Sequence, residues 1–411
     1  MSGDLLRRGT GPAALGSLVS LAAQAAMAMF LLGLYEPQAV GVFSVIAQIA
    51  FGWATLALAQ SPISLLANQH LPALPAARKA WRKSLGRGLW LTPAAAAAIW
   101  WSNQSASAGL ASGSWIHLLA WAAAIACAQL SWLLAQSLTL RLQNPLSIAA
   151  VRMLPPLLAA VLAGALALWL DWRSSHALTA AACAGYAVGA LWLLPALWDR
   201  RPATPPSPAA VASGDPRSER LKFIHTLSDV ALAMALAAHW TAVYGAAQAG
   251  GLLILLRVMG FVPALVSTAW AQVVLSRPPV QHPSSALAAL AGAGTVVALG
   301  VVVGAALDAG WLSSQWLVLK EYLWPVVLWQ LAASVMAAVS HLPFQRGMSV
   351  RYTQQCLAMN AAQGLLLVLP PLLGWSLNGH LWGLAGFLCM ALLLQALWAA
   401  RLAHVSRGDP T

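Results

Sequence analysis

The sequence predicts an all-α polytopic membrane protein with about 12 transmembrane helices in two six-helix lobes. Composition is the first reason. Of the 411 residues, 60% are A, V, I, L, M, F, W, Y or C and 8% are charged, whereas soluble domains carry about 25% charge. Mean hydropathy is +0.73. The second reason is that apolar runs recur at the ~20-residue length a helix needs to cross a bilayer. The third is a long polar interruption at 199–221, midway along the chain. Twelve spans would use about 240 residues, so no soluble domain of ordinary size remains. A soluble enzyme, a disordered chain and a disulfide-built secreted protein are excluded on these grounds.

In chain order the runs are 12–34, 39–66, 86–103, 115–139, 147–170, 177–198, 222–243, 246–275, 286–307, 323–343, 353–375 and 381–401. The first follows Arg7 and Arg8 and carries Ala23-Gln24-Ala25, superficially like a signal peptide. Its apolar stretch of about 23 residues exceeds the usual ~7–15 of a signal, so it counts as span one. The runs at 39–66 and 246–275 must tilt or extend beyond the hydrocarbon. Those at 86–103 and 323–343 carry the weakest signal. The segment from Asp199 to Glu219 is rich in Pro, Ser and charge, as a linker should be. The organisation is therefore an N-lobe at 1–199, a cytoplasmic linker at 200–221 and a C-lobe at 222–411. The longest outside loop, 308–322, is too small for a catalytic domain.

Orientation follows from the cations. The net charge is +12, and in a polytopic chain Lys and Arg collect on cytoplasmic segments. With both termini inside, all but three of the 22 Lys and Arg fall on inner segments or inner span ends. Arg173 and Lys320 lie outside, and Arg257 sits deep in span eight. No basic stretch combines length with a soluble fold, so nucleic acid is not the partner. Cys127, Cys183, Cys356 and Cys389 lie apart within apolar runs and read as small buried hydrophobes. The halves share a local likeness: Gln38-Ala39-Val40-Gly41 opens span two as Gln248-Ala249-Gly250-Gly251 opens span eight. Six spans per half give both halves one orientation. That is a parallel pseudo-repeat, with a site expected between the lobes near the midplane.

Ionisable groups in spans are costly and usually face a bundle interior or a water-filled cavity. Arg257 lies about 16 Å from the outer start of span eight by helical rise. A cavity-lining arginine suits a diphosphate or carboxylate through bidentate, charge-assisted bonds. The competing reading is a structural arginine satisfied by backbone carbonyls. His225 and Asp229 stand four apart on span seven and share a face. They could carry a proton or hold a sodium ion, or form a local ion pair near the inner mouth. Eight intramembrane glutamines (24, 48, 60, 129, 136, 272, 330 and 363) suit interhelical hydrogen bonds. Gln48 stands one position from the repeat equivalent of Arg257, and Gln24 is on the neighbouring first span. These two are the preferred cavity amides.

Three glycine pairs, Gly185 with Gly189, Gly300 with Gly304 and Gly379 with Gly383, suggest close helix packing. Many of the 21 tryptophans cluster at predicted membrane boundaries, where an aromatic belt explains most of those. Trp53 and Trp329 lie deeper and fit packing better than sugar stacking. There is no phosphate-binding G-x-x-x-x-G-K-[ST], no H-E-x-x-H, no C-x-x-C and no D-x-D. The chain is expected to be a carrier rather than an enzyme, with no cofactor beyond a coupled H+ or Na+.

Two segments carry a resemblance. Leu34-Tyr-Glu-Pro-Gln-Ala-Val-Gly41-Val-Phe-Ser resembles the first outside turn of polysaccharide exporters. Gly251-Leu-Leu-Ile-Leu-Leu-Arg257-Val-Met-Gly-Phe-Val-Pro263 resembles their eighth span. The chain thus resembles the Wzx-type O-antigen flippases, the polysaccharide transporter branch of the multidrug/oligosaccharidyl-lipid/polysaccharide (MOP) superfamily. That superfamily also holds the MATE exporters and the lipid II flippase. The resemblance implies a MATE-like fold in a bacterial inner membrane and a lipopolysaccharide-related role. The substrate implied is an undecaprenyl-diphosphate-linked oligosaccharide, flipped from the cytoplasmic to the periplasmic leaflet. Its implied partners are membrane lipid, a polysaccharide polymerase and a chain-length regulator, and Arg257 would contact the lipid diphosphate or an acidic sugar. Lipid II flippases carry cavity arginines on the first two spans, where this chain has only glutamines. A more neutral glycan therefore fits better. A MATE-like small-molecule or ion antiporter is the alternative, although its cavity should hold more carboxylates than Asp229. A membrane polymerase or ligase would need a longer outside loop.

Overall fold

The computed structural model describes residues 19–65 in part, and 72–103, 114–142, 144–199, 216–266 and 285–402. Among these residues there is no strand. Among the described residues ten helices are long and apolar enough to cross a membrane, and Ala73–Ser102 is not one of the ten. The described residues between 19 and 34 are also helical, in the region expected for span one. The third expected span lies within a longer helix, Ala73–Ser102, whose first half carries Arg78, Lys79, Arg82, Lys83 and Arg87. The second expected span is shorter than its apolar run. Its helix, Pro37–Leu58, stops at Ala59, where φ reaches +48°. The helix begins at a proline, whose fixed φ suits a first turn and whose missing N–H costs nothing there. Of the expected linker at 200–221, residues 200–215 lie outside the described residues and 216–221 begin the Pro216–Tyr244 helix; Gln60 and Gln272 also lie outside.

The chain divides into two compact units. The first comprises Met1–Gly214 with Ala233–Gly250, and the second Asp215–Leu232 with Gly251–Thr411. Within the first, Pro37–Leu58 packs against Ala73–Ser102, Trp115–Leu142 and Ser175–Ala190, and the last also packs on Pro145–Trp169. Val40, Ile49, Leu134 and Leu138 are fully buried there. Close approach is built from glycine: a Cβ at Gly185 would stand 2.5 Å from the Pro155 carbonyl oxygen. Arginines seal the helix ends. Arg87 Nη1 donates to the Ala57 and Leu58 carbonyls at 3.2 and 3.1 Å. Arg141 donates to Leu65 O at 2.9 Å, and Arg78 to Asp199 O. Last-turn carbonyls have no partner within a helix, and cations there also favour the helix dipole. Trp53 packs, as expected, with its indole N–H donating to Gly88 O at 2.8 Å.

The Gln38–Gly41 and Gln248–Gly250 segments, whose likeness suggests a repeat, meet within this unit. A Cβ on Gly250 would lie 2.5 Å from Pro37 O and 2.9 Å from Gly41 N. A Cβ on Gly41 would collide with the Ala246 carbonyl. The chain reaches this contact through Gly245, whose φ of +89° favours glycine. There the Pro216–Tyr244 helix ends and Ala246–Leu265 begins.

In the second unit Leu319–Val339 packs against Ser285–Asp308 and Leu377–Arg401, and Ser349–Leu372 packs on the last. Gly300 faces Val327 across the first of these contacts, with a Cβ position 2.6 Å from Val327 Cγ2. The expectation for Gly379 and Gly383 is corrected. Their nearest neighbours are Ser376 Oγ and the Trp375 ring, at the start of the same helix. The small residues there make room for an N-cap, in which Ser376 accepts from Gly379 N at 3.2 Å, and for a folded-back indole.

Candidate functional site

Arg257 lies 11 residues into Ala246–Leu265, about 16 Å along its axis, and it is exposed. A guanidinium at that depth on a membrane-crossing helix needs water, a polar group of the protein or a polar ligand beside it, because bare hydrocarbon would be too costly.

His225 and Asp229 are brought together as the four-residue spacing predicts, with Nε2 3.4 Å from Oδ2. What the spacing could not predict is the third group. Asn360, on Ser349–Leu372, donates through Nδ2 to Asp229 Oδ1 and to Ser228 Oγ, the latter at 2.8 Å. Ser228 in turn donates to the His225 carbonyl at 2.8 Å. Asp229 is therefore held from two sides: one oxygen by an amide, the other beside an imidazole. Its side chain is 49% exposed and that of His225 26%, while Asn360 is 8% exposed. A fixed carboxylate, half exposed and backed by a buried amide, is equipped to bind and release a small cation or a proton. Among the described residues no cluster of three or more His, Cys, Asp or Glu could hold a metal ion.

The helix that supplies Asn360 has an unusual buried stripe. Its inward positions are Thr353, Cys356, Asn360, Gln363, Leu367 and Pro370. Four polar residues in succession on the buried face of a membrane helix need partners. Cys356 receives Gln395 Nε2 at 3.1 Å from the Leu377–Arg401 helix. Asn360 and Gln395 are polar residues inside expected spans, the same sequence signal that marks the other amides.

Gln24 and Gln48 belong to the first unit. Gln24 is exposed and donates to Ser20 Oγ at 3.3 Å, one turn earlier on its own helix. Gln48 is half-buried on Pro37–Leu58. Gln129, read as an interhelical amide, is buried with its Oε1 unpartnered.

No protein-family model matches the sequence, and no curated protein matches it. Solved structures do match, over almost the whole chain. An outward-facing multidrug-resistance MATE family transporter of the MOP superfamily aligns at 12% identity with a TM-score of 0.52, covering 97% of this chain and 95% of its own. An inward-facing multidrug-resistance MATE transporter aligns at 13% identity with a TM-score of 0.50, covering 97% and 96%. A MOP superfamily transporter from Pyrococcus furiosus, whose reversed pocket polarity suggests a different function for it, aligns at 15% identity with a TM-score of 0.50, covering 97% and 95%. The chain is an all-helical, multi-pass membrane protein with the MATE-like fold of the MOP superfamily transporters.

Proposed function

We propose that the chain is a flippase, not an enzyme, that carries an undecaprenyl-diphosphate-linked oligosaccharide from the cytoplasmic to the periplasmic leaflet. The observation that carries this reading is the exposed arginine deep in a membrane helix. Arg257 holds the anionic diphosphate by charge-assisted bonds, Gln24 and Gln48 contact sugar hydroxyls, and the polyprenyl tail stays in lipid. Two lobes, 1–199 and 222–411, rock about the site in alternating access. His225 and Asp229, with Asn360 behind the carboxylate, couple the cycle to H+ or Na+. The setting is a bacterial inner membrane with both termini cytoplasmic, and polymerase and chain-length regulator are the partners. The test is reconstitution of the purified protein into vesicles carrying a fluorescent lipid-linked oligosaccharide on one face. Transfer of label to the other face, lost in Arg257→Ala and partly kept in Arg257→Lys, supports the reading; equal transfer by protein-free vesicles overturns it.

A second reading, an ion-coupled small-molecule antiporter, is favoured by the multidrug transporters among the structural neighbours and by the single set carboxylate at Asp229. Efflux of an organic cation from the same vesicles, driven by a proton or sodium gradient, would select it.

A further inference from the structure

The Ala73–Ser102 helix has 30 residues, about 45 Å of rise, against a hydrocarbon core of about 30 Å. With the expected third span, 86–103, set in the hydrocarbon, counting back about 30 Å from Ser102, beside the tryptophans Trp100 and Trp101, reaches Arg82. Residues before that point then fall at headgroup depth.

The five cations of this stretch divide cleanly. Arg78 and Arg87 turn inward and donate to backbone carbonyls, and Trp81 between them donates to Ser131 Oγ at 3.0 Å. Lys79, Arg82 and Lys83 are exposed and make no hydrogen bond or ion pair among the described residues. They sit on one stripe that continues through Leu89 and Trp90, 76% and 85% exposed, and on to the exposed Pro93. The spacing of three and four keeps these positions on one face. Trp90 is about 10 Å beyond Lys83 by helical rise. A single face therefore runs from three exposed cations to bulky exposed apolar groups over the depth of one lipid, from headgroup to upper acyl chain.

We propose that this face is a binding site for an anionic phospholipid, with its phosphate held by Lys79, Arg82 and Lys83 and its acyl chains lying along Leu89, Trp90 and Pro93. Charge complementarity selects the occupant: a zwitterionic lipid offers the same chains without the net negative charge. Each cation near a lipid surface contributes about fivefold to binding, so the three together give on the order of a hundredfold preference.

The test uses purified full-length protein in neutral micelles, with tryptophan quenching by brominated phosphatidylglycerol or brominated phosphatidylcholine. The quenching lost in Trp90→Phe isolates this face. The expected result is saturation at a much lower mole fraction of phosphatidylglycerol, with salt weakening the difference. The K79Q/R82Q/K83Q variant should bind both lipids alike, while the charge-conserving K79R/R82K/K83R variant keeps the preference. All these positions are exposed, so folding is not at stake. Equal quenching of the wild type by the two lipids, or a preference that survives in the glutamine variant, would overturn the proposal. So would displacement of phosphatidylglycerol by an equimolar polyprenyl diphosphate, which would assign the face to substrate capture.

Discussion

Replacing Gly250 by alanine probes a close backbone contact in the first unit. The new methyl would lie 2.5 Å from Pro37 O, 2.9 Å from Gly41 N and 3.0 Å from Gly41 Cα. Real Cβ atoms essentially never come within 3.0 Å of such neighbours, so the helix starts must separate by about half an ångström along the Pro37 direction. All three neighbours are backbone, and no rotamer can relieve them. Overpacking of this kind costs about 1–3 kcal/mol. Alanine in a helix also returns up to about 1 kcal/mol relative to glycine. Gly33→Ala isolates that gain, because a Cβ at Gly33 meets nothing within 4 Å. The assay is equilibrium unfolding in mixed micelles. Gly250→Ala should be less stable than Gly33→Ala by about 1–3 kcal/mol. Gly41→Ala should cost more than Gly250→Ala, because its Cβ falls closer still to the Ala246 carbonyl, and the double variant should cost less than the sum because one separation relieves part of both. Equal stability of Gly250→Ala and Gly33→Ala would refute the contact.

The other predictions concern single groups. Asp229→Asn should abolish the dependence of transport on its coupling ion; Asn360→Ala should shift that dependence while leaving the folded yield near normal, as read from transport rate against sodium concentration and pH. Tyr35→Phe removes a buried bond of 2.8 Å to the Ala163 carbonyl and should cost about 1 kcal/mol in unfolding. Burial pushes the Tyr35 phenol up to about 12, against the pull of Arg173. Its folded value lies above the ordinary 10, so its contribution is complete below pH 10 and is lost as pH rises towards 12. The wild type should therefore lose stability more steeply than Tyr35→Phe across that window. Gly300→Val should destabilise by about 1–3 kcal/mol, since its Cβ position already lies 2.6 Å from Val327 Cγ2.

Most of the fold was legible because a membrane helix must be apolar along its whole buried length. Hydropathy located the helices that begin near 115, 175, 285 and 377 to within a few residues. It failed where a helix leaves the hydrocarbon: the start at Ala73 is hidden by five cations, although the backbone continues unbroken through them. It also failed where a backbone break overrides an apolar run, as at Ala59. At the site, the His225–Asp229 pair was readable from helical periodicity alone. Asn360 is 131 positions from Asp229, and only tertiary packing could join them. The Gly379–Gly383 spacing matched a packing motif, yet the space it leaves is filled by Trp375 from the preceding turn. Spacing shows that room exists and not who occupies it.

The most direct test of the central claim is the sidedness of undecaprenyl-linked oligosaccharide in cells that contain or lack the protein. The account predicts accumulation on the cytoplasmic face when the protein is lost, reversed by the wild type, partly by Arg257→Lys and not by Arg257→Ala expressed at equal level. Unchanged sidedness with altered tolerance to organic cations would contradict it and select the antiporter reading.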